Sequence, residues 1–262
     1  MKLKTVRSYE RLRHIFEDSL TVELLAEDLT TCALDDDALS VLRELEKHDF
    51  DIMGVLDAEE IIGYVKQDEL SSGKIADYCR SFNSKDLISD STSVLELLEI
   101  LRDREYVFVL EKNSVTKIVT VADLHKQAIR MFTFSLISLL EMYLVAAIKE
   151  LYPNEEWTEK LSKGRLKKTE EMWEKRKSRN EELTLIDNTQ LSDKATIARN
   201  TPELLEQMGF PSKTKCDDFF SNLERLRNNT AHAQEIIYHD NKELIEVLLQ
   251  INDILERIVG KD

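Results

Sequence analysis

The hydrophobic pattern of the first half of the chain occurs twice. In the first copy, Leu39, Leu42 and Leu45 recur at a three-residue spacing, and two short apolar runs, 51–56 and 61–65, follow them. Such a spacing places side chains on one helix face, whereas short apolar runs bounded by polar residues are typical of strands. The second copy repeats this order with apolar positions 94, 97, 98 and 101 and with the runs 106–110 and 115–119. The strands of the two copies are offset by about 54 residues, which indicates an internal duplication.

Polar residues mark where the helices of both copies begin. Carboxylates at 35–37 start the first helix, because they favour a helix N-terminus, and the polar run 90–93 caps the second. After its second strand, each copy enters another polar helix start, at 66–70 and at 120–124. We therefore predict a leading helix over residues 1–20, a first copy over 21–73 and a second copy over 74–125.

The turn after the last predicted strand carries the most specific residues of this half, Thr120 and, three positions later, Asp123. With this Thr-x-x-Asp sequence directly after a β-rich run, the stretch from Thr21 to Lys126 resembles a tandem pair of CBS domains. The resemblance implies a β-α-β-β-α module in each copy and an adenine nucleotide (AMP, ADP, ATP or a related compound) as regulatory ligand. In that family the Thr/Asp pair hydrogen-bonds the phosphate and the ribose hydroxyls. A hydroxyl at a helix N-terminus suits phosphate, and a carboxylate accepts hydrogen bonds from a ribose diol.

The first copy departs from this pattern at the corresponding turn. Lys66 stands in place of the threonine and Glu69 in place of the aspartate, although a lysine can pair with phosphate and a glutamate can accept from ribose. The second copy has Lys117 where the family usually has glycine. The resemblance thus implies nucleotide contacts at Thr120 and Asp123, with Lys66 and Glu69 as a second candidate pair. The alternative is an architectural module without a ligand, in which the Thr/Asp pair only caps a helix.

The second half of the chain lacks strand patterns and predicts helices only. Residues 131–148 form an apolar stretch with one charge, Glu141, and their number reaches the lower limit for a membrane span. Because Glu141, Thr133, Ser135 and Ser138 lie within the stretch, we predict a buried central helix instead. An unpaired buried carboxylate is costly, so Glu141 needs a cationic partner, for which Arg199 and Arg227 are the candidates. The further helices are predicted over 157–182, 192–197, 201–209, 213–237 and 242–259.

Charge is distributed unevenly along the chain. The formal net charge is −15, which argues against nucleic-acid binding over the whole surface. Between Lys160 and Arg179, however, nine residues are basic and three are acidic. This stripe is either a solvated helix face or a surface that follows phosphates. Three widely spaced cysteines and an N-terminus without an apolar signal core predict a cytoplasmic protein with reduced thiols and no metal site.

The stretch from Leu226 to Ala233 carries the candidate catalytic residues. Asn228 and His232 are four residues apart on the helix predicted over 213–237, and Arg227 lies beside them. The pair falls on a face nearly opposite the apolar side of that helix, which is formed by positions 219, 223, 226, 230, 233 and 237. We therefore expect His232 to face solvent or another subunit.

In this helical context, the Arg-x4-His sequence with a polar residue after the arginine resembles the HEPN superfamily, over about residues 126–262. The resemblance implies an all-α bundle, a homodimer and metal-independent cleavage of RNA by Arg227 and His232 with Asn228, supported by Glu141. A histidine of near-neutral pKa can transfer the proton of the RNA 2′-hydroxyl, and a guanidinium can stabilise the dianionic phosphorane. Because Ala233 rather than a tyrosine follows the histidine, the subtype paired with a nucleotidyltransferase is disfavoured. RNA phosphates are then expected on the basic stripe, at Lys163, Arg165, Lys167, Lys168 and Arg176.

Together these patterns predict an α+β, multidomain chain, with a tandem CBS module followed by an all-α HEPN-like helical bundle. The predicted function is a cytoplasmic, homodimeric endoribonuclease regulated by an adenine nucleotide, such as a toxin or phage-defence effector. Neither a membrane nor a DNA partner is expected. The alternative is a non-catalytic nucleotide sensor whose helical half only dimerises or docks a partner.

Overall fold

The computed structural model describes residues 11, 14–15, 19–179, 181, 183–231, 238 and 240–259. The chain has an α+β fold, as predicted, and divides into two compact units. We call residues 17–126 the sheet unit, because it contains every strand of the described residues, and residues 127–262 the helical unit. The predicted leading helix lies mostly outside the described residues, and those described there are helical at Arg11, His14, Ile15 and Ser19.

The sheet unit contains both copies of the repeat predicted from the hydrophobic pattern. Each copy has a short strand, a helix and an antiparallel strand pair, which agrees with the β-α-β-β order implied by the resemblance. The helices begin where their polar residues predict, since the side chains of Asp37 and Ser93 accept hydrogen bonds from the backbone three residues on. The elements are β1 (Glu27–Asp28), β2 (Thr31–Ala33), α1 (Ala38–His48), β3 (Ile52–Asp57), β4 (Glu60–Lys66), β5 (Leu87–Ser89), α2 (Val94–Leu101), β6 (Tyr106–Glu111) and β7 (Ser114–Thr120).

The duplication extends to irregular details of the backbone. The β3–β4 hairpin has a register shift between Val55 and Leu56, and the β6–β7 hairpin has one between Val109 and Leu110. The turns of the two hairpins contain left-handed residues, Ala58 at φ 54° and Lys112 at φ 57°. These features recur at a spacing of about 54 residues, so the repeat predicted from hydrophobicity is also a repeat of backbone conformation.

The two copies exchange their leading segments. One sheet has the strand order β2-β3-β4, whereas the other has the order β1-β7-β6-β5, so β1 joins the sheet of the second copy. The start of α2 is held by the first segment through the bond from Val94 N to Leu20 O, at 2.9 Å. The start of α1 is held by the segment between the copies through the bond from Ala38 N to Gly73 O, also at 2.9 Å. Each copy therefore completes its fold with the segment that precedes the other copy in sequence.

The described part of the helical unit contains only helices and connecting segments. Thr201 precedes Pro202 at a helix start, and Gly209 at φ 75° follows the end of that helix, as the sequence predicts. The predicted motif helix is described only as far as Ala231, and residues 232–237 lie outside the described residues. The helices are α3 (Gln127–Leu151), α4 (Lys163–Lys177), α5 (Leu191–Arg199), α6 (Pro202–Gln207), α7 (Lys213–Ala231) and α8 (Asn241–Val259), with 3-10 helices at Glu156–Lys160 and Leu185–Asn188.

Helix α3 is the central helix of this unit. It packs against α5, α7 and α8, and Ile129, Leu140, Leu144 and Ile148 on it are fully buried. Among the described residues, α3 is also the one helix long and apolar enough to cross a membrane by length and composition, although half of its most apolar window is buried inside the protein. Its contacts agree with the central helix predicted from the sequence.

The three cysteines are free thiols in the structure. Cys32 and Cys216 are buried, and burial is the main cause that raises their pKa, to about 11 and about 12. Burial also raises the pKa of Cys79. All three therefore remain protonated and weakly nucleophilic at neutral pH.

Candidate functional site

The predicted nucleotide-contacting pair of the second copy lies where β7 ends. The backbone N–H and the hydroxyl of Thr120 both donate to Asp123 Oδ2, at 2.7 and 3.2 Å. The hydroxyl of Thr120 in turn accepts from the backbone N–H of Ala122 at 3.2 Å. These bonds form a capping box at the start of the 3-10 helix Val121–His125. The pair is thus preorganised by its own hydrogen bonds.

Lys126, which was not among the residues predicted from the sequence, forms ion pairs at this end of the second copy. Lys126 Nζ lies 2.6 Å from Asp123 Oδ1 and 2.7 Å from Glu27 Oε1, and it donates to the Leu25 carbonyl at 2.6 Å. Burial lowers the pKa of Lys126, but the hydrogen bonds to Asp123 and Glu27 outweigh that effect and raise the pKa overall. The carboxylate of Asp123, which is only 9% exposed, therefore has a fixed cationic partner.

The corresponding pair of the first copy lies where β4 ends. Arg80 Nε donates to Glu69 Oε2 at 2.6 Å, and a second guanidinium nitrogen contacts Oε1. The hydrogen bond to Glu69 is the main cause that raises the pKa of Arg80. Lys66 makes no ion pair among the described residues, and its Nζ lies 5.0 Å from the ring centroid of Tyr106.

The two ends occupy equivalent places in the repeat, but one pair of equivalent positions carries residues of opposite charge. Arg80 forms a two-way backbone pair with Tyr64 of β4, and Glu27 forms the equivalent pair with Ile118 of β7. An arginine at the first end thus corresponds to a glutamate at the second. At the first end Glu69 pairs with Arg80, and Lys66 is a second cation, whereas at the second end Lys126 is shared by the carboxylates of Asp123 and Glu27. The two ends therefore differ in the arrangement of their charged groups.

An aromatic cluster lies next to Lys66, in the core shared by β4 and β7. The ring of Tyr64 lies 4.8 Å from that of Phe108 and 5.8 Å from that of Phe82, measured between centroids. Tyr106 contacts this group at its edge, with 5.5 Å between its centroid and that of Phe108. Phe82 and Tyr106 are partly exposed, so the cluster offers flat apolar surface beside the cations.

In the helical unit, α7 presents the described part of the predicted catalytic stretch. Leu223 and Leu226 are fully buried, whereas Arg227 and Asn228 are exposed. The helix therefore faces its core with the apolar side predicted from the sequence. His232 lies outside the described residues, and its position relative to Arg227 stays a prediction.

The charge of Glu141 acts on a cation that the sequence analysis missed. Lys194 on α5 is 6% exposed and donates to the Thr189 carbonyl at 2.7 Å. Burial is the main cause that lowers the pKa of Lys194; the nearby charge of Glu141 opposes this shift, and that of Arg227 adds to it. Arg199, the other candidate partner, instead contacts Asp217 at 3.0 Å. The charges of Glu141 on α3 and of Arg227 on α7 thus act in opposite directions on the pKa of Lys194 on α5.

The predicted phosphate-binding side chains of α4 differ in their surroundings. Arg165 is held by Asp193 through two bonds, from Nε at 2.7 Å and from a terminal nitrogen at 2.6 Å. Arg176 contacts Glu181 at 3.3 Å, and Lys167 lies 3.9 Å from Glu171. Lys163 and Lys168 are exposed. A count of basic residues therefore overstates the charge that is free to meet a phosphate.

Comparisons with known proteins give solved structures only. No protein-family model and no curated protein matches the chain. The CBS domain of a bacterial CNNM/CorC family Mg²⁺ transporter in complex with ATP is 15% identical at a TM-score of 0.36, over 47% of this chain and 97% of that one. The CBS domains of a transcriptional regulator from Streptococcus pneumoniae are 22% identical at a TM-score of 0.35, over 41% of this chain and 98% of that one. A hemolysin-like protein containing a CBS domain, from Oenococcus oeni PSU, is 14% identical at a TM-score of 0.35, over 44% and 94%.

The geometry defines what each end of the sheet unit offers chemically. The first end offers two cations and a partly exposed aromatic surface, which suit phosphate groups and a planar base. The second end offers a hydroxyl and a carboxylate held in a capping box, which suit hydrogen bonds to a hydroxylated ligand. In both ends the carboxylate is already paired with a cation.

Proposed function

We propose that the sheet unit is a CBS-type pair that binds an adenine nucleotide and acts as the regulatory part of this protein. The observation that carries the proposal is the pair of repeat-related ends, at β4 and β7, where a carboxylate, a cation and the start of a 3-10 helix converge. Helix starts favour anions, and cations beside them add to the attraction for phosphate. The repeat supplies two such ends, with different arrangements of charge.

The first end suits the phosphates of the nucleotide. Arg80 is 49% exposed and Glu69 is 32% exposed, so a phosphate can reach the guanidinium from solvent. Lys66 adds a second cation, and Tyr106 and Phe82 offer ring faces for the adenine. The second end suits the ribose of a nucleotide with little negative charge, because Glu27 and Asp123 repel further anions there. We therefore expect the two ends to prefer different ligands.

Regulation follows only if the nucleotide binds two states of the protein with different affinity. A change of ion-pair partner when the nucleotide binds provides this difference in affinity. When a phosphate takes Arg80 from Glu69, the glutamate loses the partner that holds the 3-10 helix Gln67–Glu69 to the segment after β4. At the other end, a ribose hydroxyl that binds Asp123 displaces Lys126 from it. The ion pair between Lys126 and Glu27 then loses the partner that it shares with Asp123.

A thermal-shift comparison of AMP, ADP, ATP and S-adenosylmethionine tests this proposal. At about 100 times its Kd, a ligand stabilises the folded unit by about 2.7 kcal/mol, which corresponds to a shift of several degrees. We expect Lys66→Met to abolish the shift by phosphorylated ligands and Thr120→Val to abolish binding at the second end. Thr116→Val is the matched control, because its hydroxyl, on the same strand, donates to the exposed Glu111.

The measured quantity is the ligand-induced shift of each variant, not its own melting temperature. Loss of the Thr120 cap alone lowers stability by about 1 kcal/mol, and that change also occurs without ligand. If no nucleotide shifts the wild-type protein, or if Lys66→Met and Thr120→Val retain every shift, the sheet unit is architectural and the proposal is wrong.

A second candidate function is metal-independent cleavage of RNA by the helical unit. The observation in its favour is that Arg227 is exposed on α7 while its charge acts on the buried Lys194 together with that of Glu141. An exposed guanidinium of this kind is suited to a phosphorane oxyanion. Asn228 beside it is exposed, and the sequence assigns the proton transfer to His232.

Incubation with a fluorogenic RNA in excess EDTA tests this second function. We expect cleavage that falls at least about a hundredfold in Arg227→Ala and in His232→Ala. Lys215→Ala is the control, because it removes an exposed cation from the start of the same helix. Absence of cleavage with and without adenine nucleotides would leave the non-catalytic sensor as the function. Cleavage that survives both substitutions would show that the site lies elsewhere.

A further inference from the structure

Helix α4 borders a groove in the helical unit. The groove has a volume of about 500 Å³, and five cationic and two carboxylate side chains line it. Its other walls include the amides of Asn188 and Gln190 and the side chain of Met172, which is 46% exposed. In a chain with a formal net charge of −15, this groove is a local positive surface.

Three of the five cations have no ion-pair partner among the described residues. Arg165 is held by Asp193, and Arg176 contacts Glu181, so their charges are largely neutralised within the protein. Lys168, Lys175 and Arg179 are exposed and line the same groove. These three, rather than the larger set of basic residues on α4, supply the free positive charge.

The free cations follow one side of α4 and its C-terminal end. Lys168 and Lys175 are seven residues apart on α4, so they lie on one side of the helix, roughly 10 Å apart along its axis. Arg179 follows in the turn after the helix and lines the same groove. Met172 lies between the first two on the same side. A single phosphate needs one compact cluster of donors, whereas cations spaced in this way fit successive phosphates of a polymer.

We infer that this groove binds the phosphodiester backbone of an extended single strand of nucleic acid, without regard to sequence. The lysines and the arginine contact successive phosphates, and Met172 provides an apolar surface for an unstacked base. The amides of Asn188 and Gln190 supply further polar contacts. The inference requires binding only, so it stands or falls separately from nucleotide sensing and from RNA cleavage.

The contacts define a groove variant and a control variant in the same unit. The groove variant is Lys168→Gln, Lys175→Gln, Arg179→Gln. The control variant is Lys163→Gln, Lys215→Gln, Lys242→Gln, which removes an equal number of positive charges from exposed positions that do not line the groove. Glutamine is a good helix former, so both variants keep their helices intact, which circular dichroism verifies.

The experiment measures binding of labelled 15-mers of thymidine DNA and of 2′-O-methyl uridine RNA by fluorescence anisotropy, at a series of salt concentrations. Neither strand has a free 2′-hydroxyl, so cleavage does not disturb the measurement. Each neutralised phosphate of a single strand contributes about 0.7 to the slope of log affinity against log salt. We expect the groove variant to bind at least about tenfold more weakly at low salt, with a slope smaller by about 2. The control variant is expected to keep the wild-type slope.

Each outcome decides the inference. Equal losses in the two variants would show that only the overall charge matters, and an unchanged slope in the groove variant would place the strand elsewhere. Lack of binding by the wild-type protein overturns the inference directly. If tripolyphosphate competes as well as a strand of equal charge, the site takes a compact polyanion and not an extended strand. A difference between the DNA and the RNA strand identifies the sugar that the groove prefers.

Discussion

Replacement of Gly63 by alanine is expected to lower the free energy of unfolding of the sheet unit by about 2–3 kcal/mol. Gly63 lies on β4, where the strand passes the segment that follows the first copy. A Cβ at this position would overlap with the carbonyl oxygen of Arg80 and would lie 2.8 Å from Cys79 Sγ. That carbonyl accepts from Tyr64 N at 2.9 Å, so it cannot move away without breaking the pairing of Arg80 with β4.

Gly164→Ala is the matched control for this substitution. Gly164 lies in the first turn of α4, and nothing lies within 4 Å of a Cβ built on it. Because alanine loses less conformational entropy than glycine in a helix, this change is expected to stabilise the helical unit by about 0.5–1 kcal/mol. Calorimetry or urea unfolding with a probe in each unit measures both effects. An unchanged unfolding midpoint in Gly63→Ala would contradict the close approach of the two segments.

The Gly63 contact also indicates which parts of the fold are readable from sequence. Both hairpins, α1 and α2 were predicted within one or two residues, because their apolar spacing and their caps are properties of short stretches. The duplication was predicted because hydrophobic runs recur at a fixed offset. In the helical unit, the start of α6 at Pro202 and the burial of Leu223 and Leu226 on α7 follow from the same kinds of local signal.

The exchange of leading segments was not predicted. Strand β1 has two residues and β2 has three, and such short strands contain too few positions for an alternating pattern. Their partners are set by pairing with residues far along the chain, since Glu27 pairs with Ile118. A signal nevertheless existed, because the 3-10 helix at 22–24 and the one at 75–77 have about the same offset as the rest of the repeat. Aligning those segments would have placed Glu27 opposite Arg80.

In the candidate sites, the sequence likewise did not indicate which charged side chains are paired with each other. The resemblance to CBS domains made Thr120 and Asp123 candidates, but the sequence did not indicate Lys126 as the cation that links Asp123 to Glu27. It named Arg165 as a phosphate ligand, although Asp193 holds that guanidinium. Whether a charged residue is paired or free depends on the packing of distant segments, and composition carries no information on it.

The paired and the free cations of α4 have different consequences for function. A guanidinium held by a buried carboxylate contributes to the fold and positions the wall of the groove, whereas an unpaired lysine on the same helix is available to a ligand. Arg165 thus contributes to stability. The unpaired cations available for binding are Lys168, Lys175 and Arg179. Substitutions in one set are expected to leave the property of the other set unchanged.

Asp193→Ala is expected to lower the free energy of unfolding of the helical unit by about 2–4 kcal/mol. The Asp193 side chain is 4% exposed, and its carboxylate accepts two bonds from Arg165 and one from Gln190 N at 3.0 Å. Alanine removes these acceptors together and leaves a guanidinium that is 36% exposed, so partial solvation of Arg165 keeps the cost below that of a fully buried pair. The same change removes the capping box at the start of α5.

Asp217→Ala gives the comparison with an exposed ion pair. Asp217 also pairs with an arginine, Arg199, at 3.0 Å, but its side chain is 47% exposed and that of Arg199 is 37% exposed. An exposed pair of this kind contributes about 0–1 kcal/mol, because water screens the attraction. Urea unfolding followed by tryptophan fluorescence measures both variants, since Trp157 is buried and Trp173 donates to the Leu183 carbonyl within the same unit. If the two variants lose equal stability, the Arg165–Asp193 pair contributes no more than a surface ion pair, and the separation of paired from free cations on α4 fails with it.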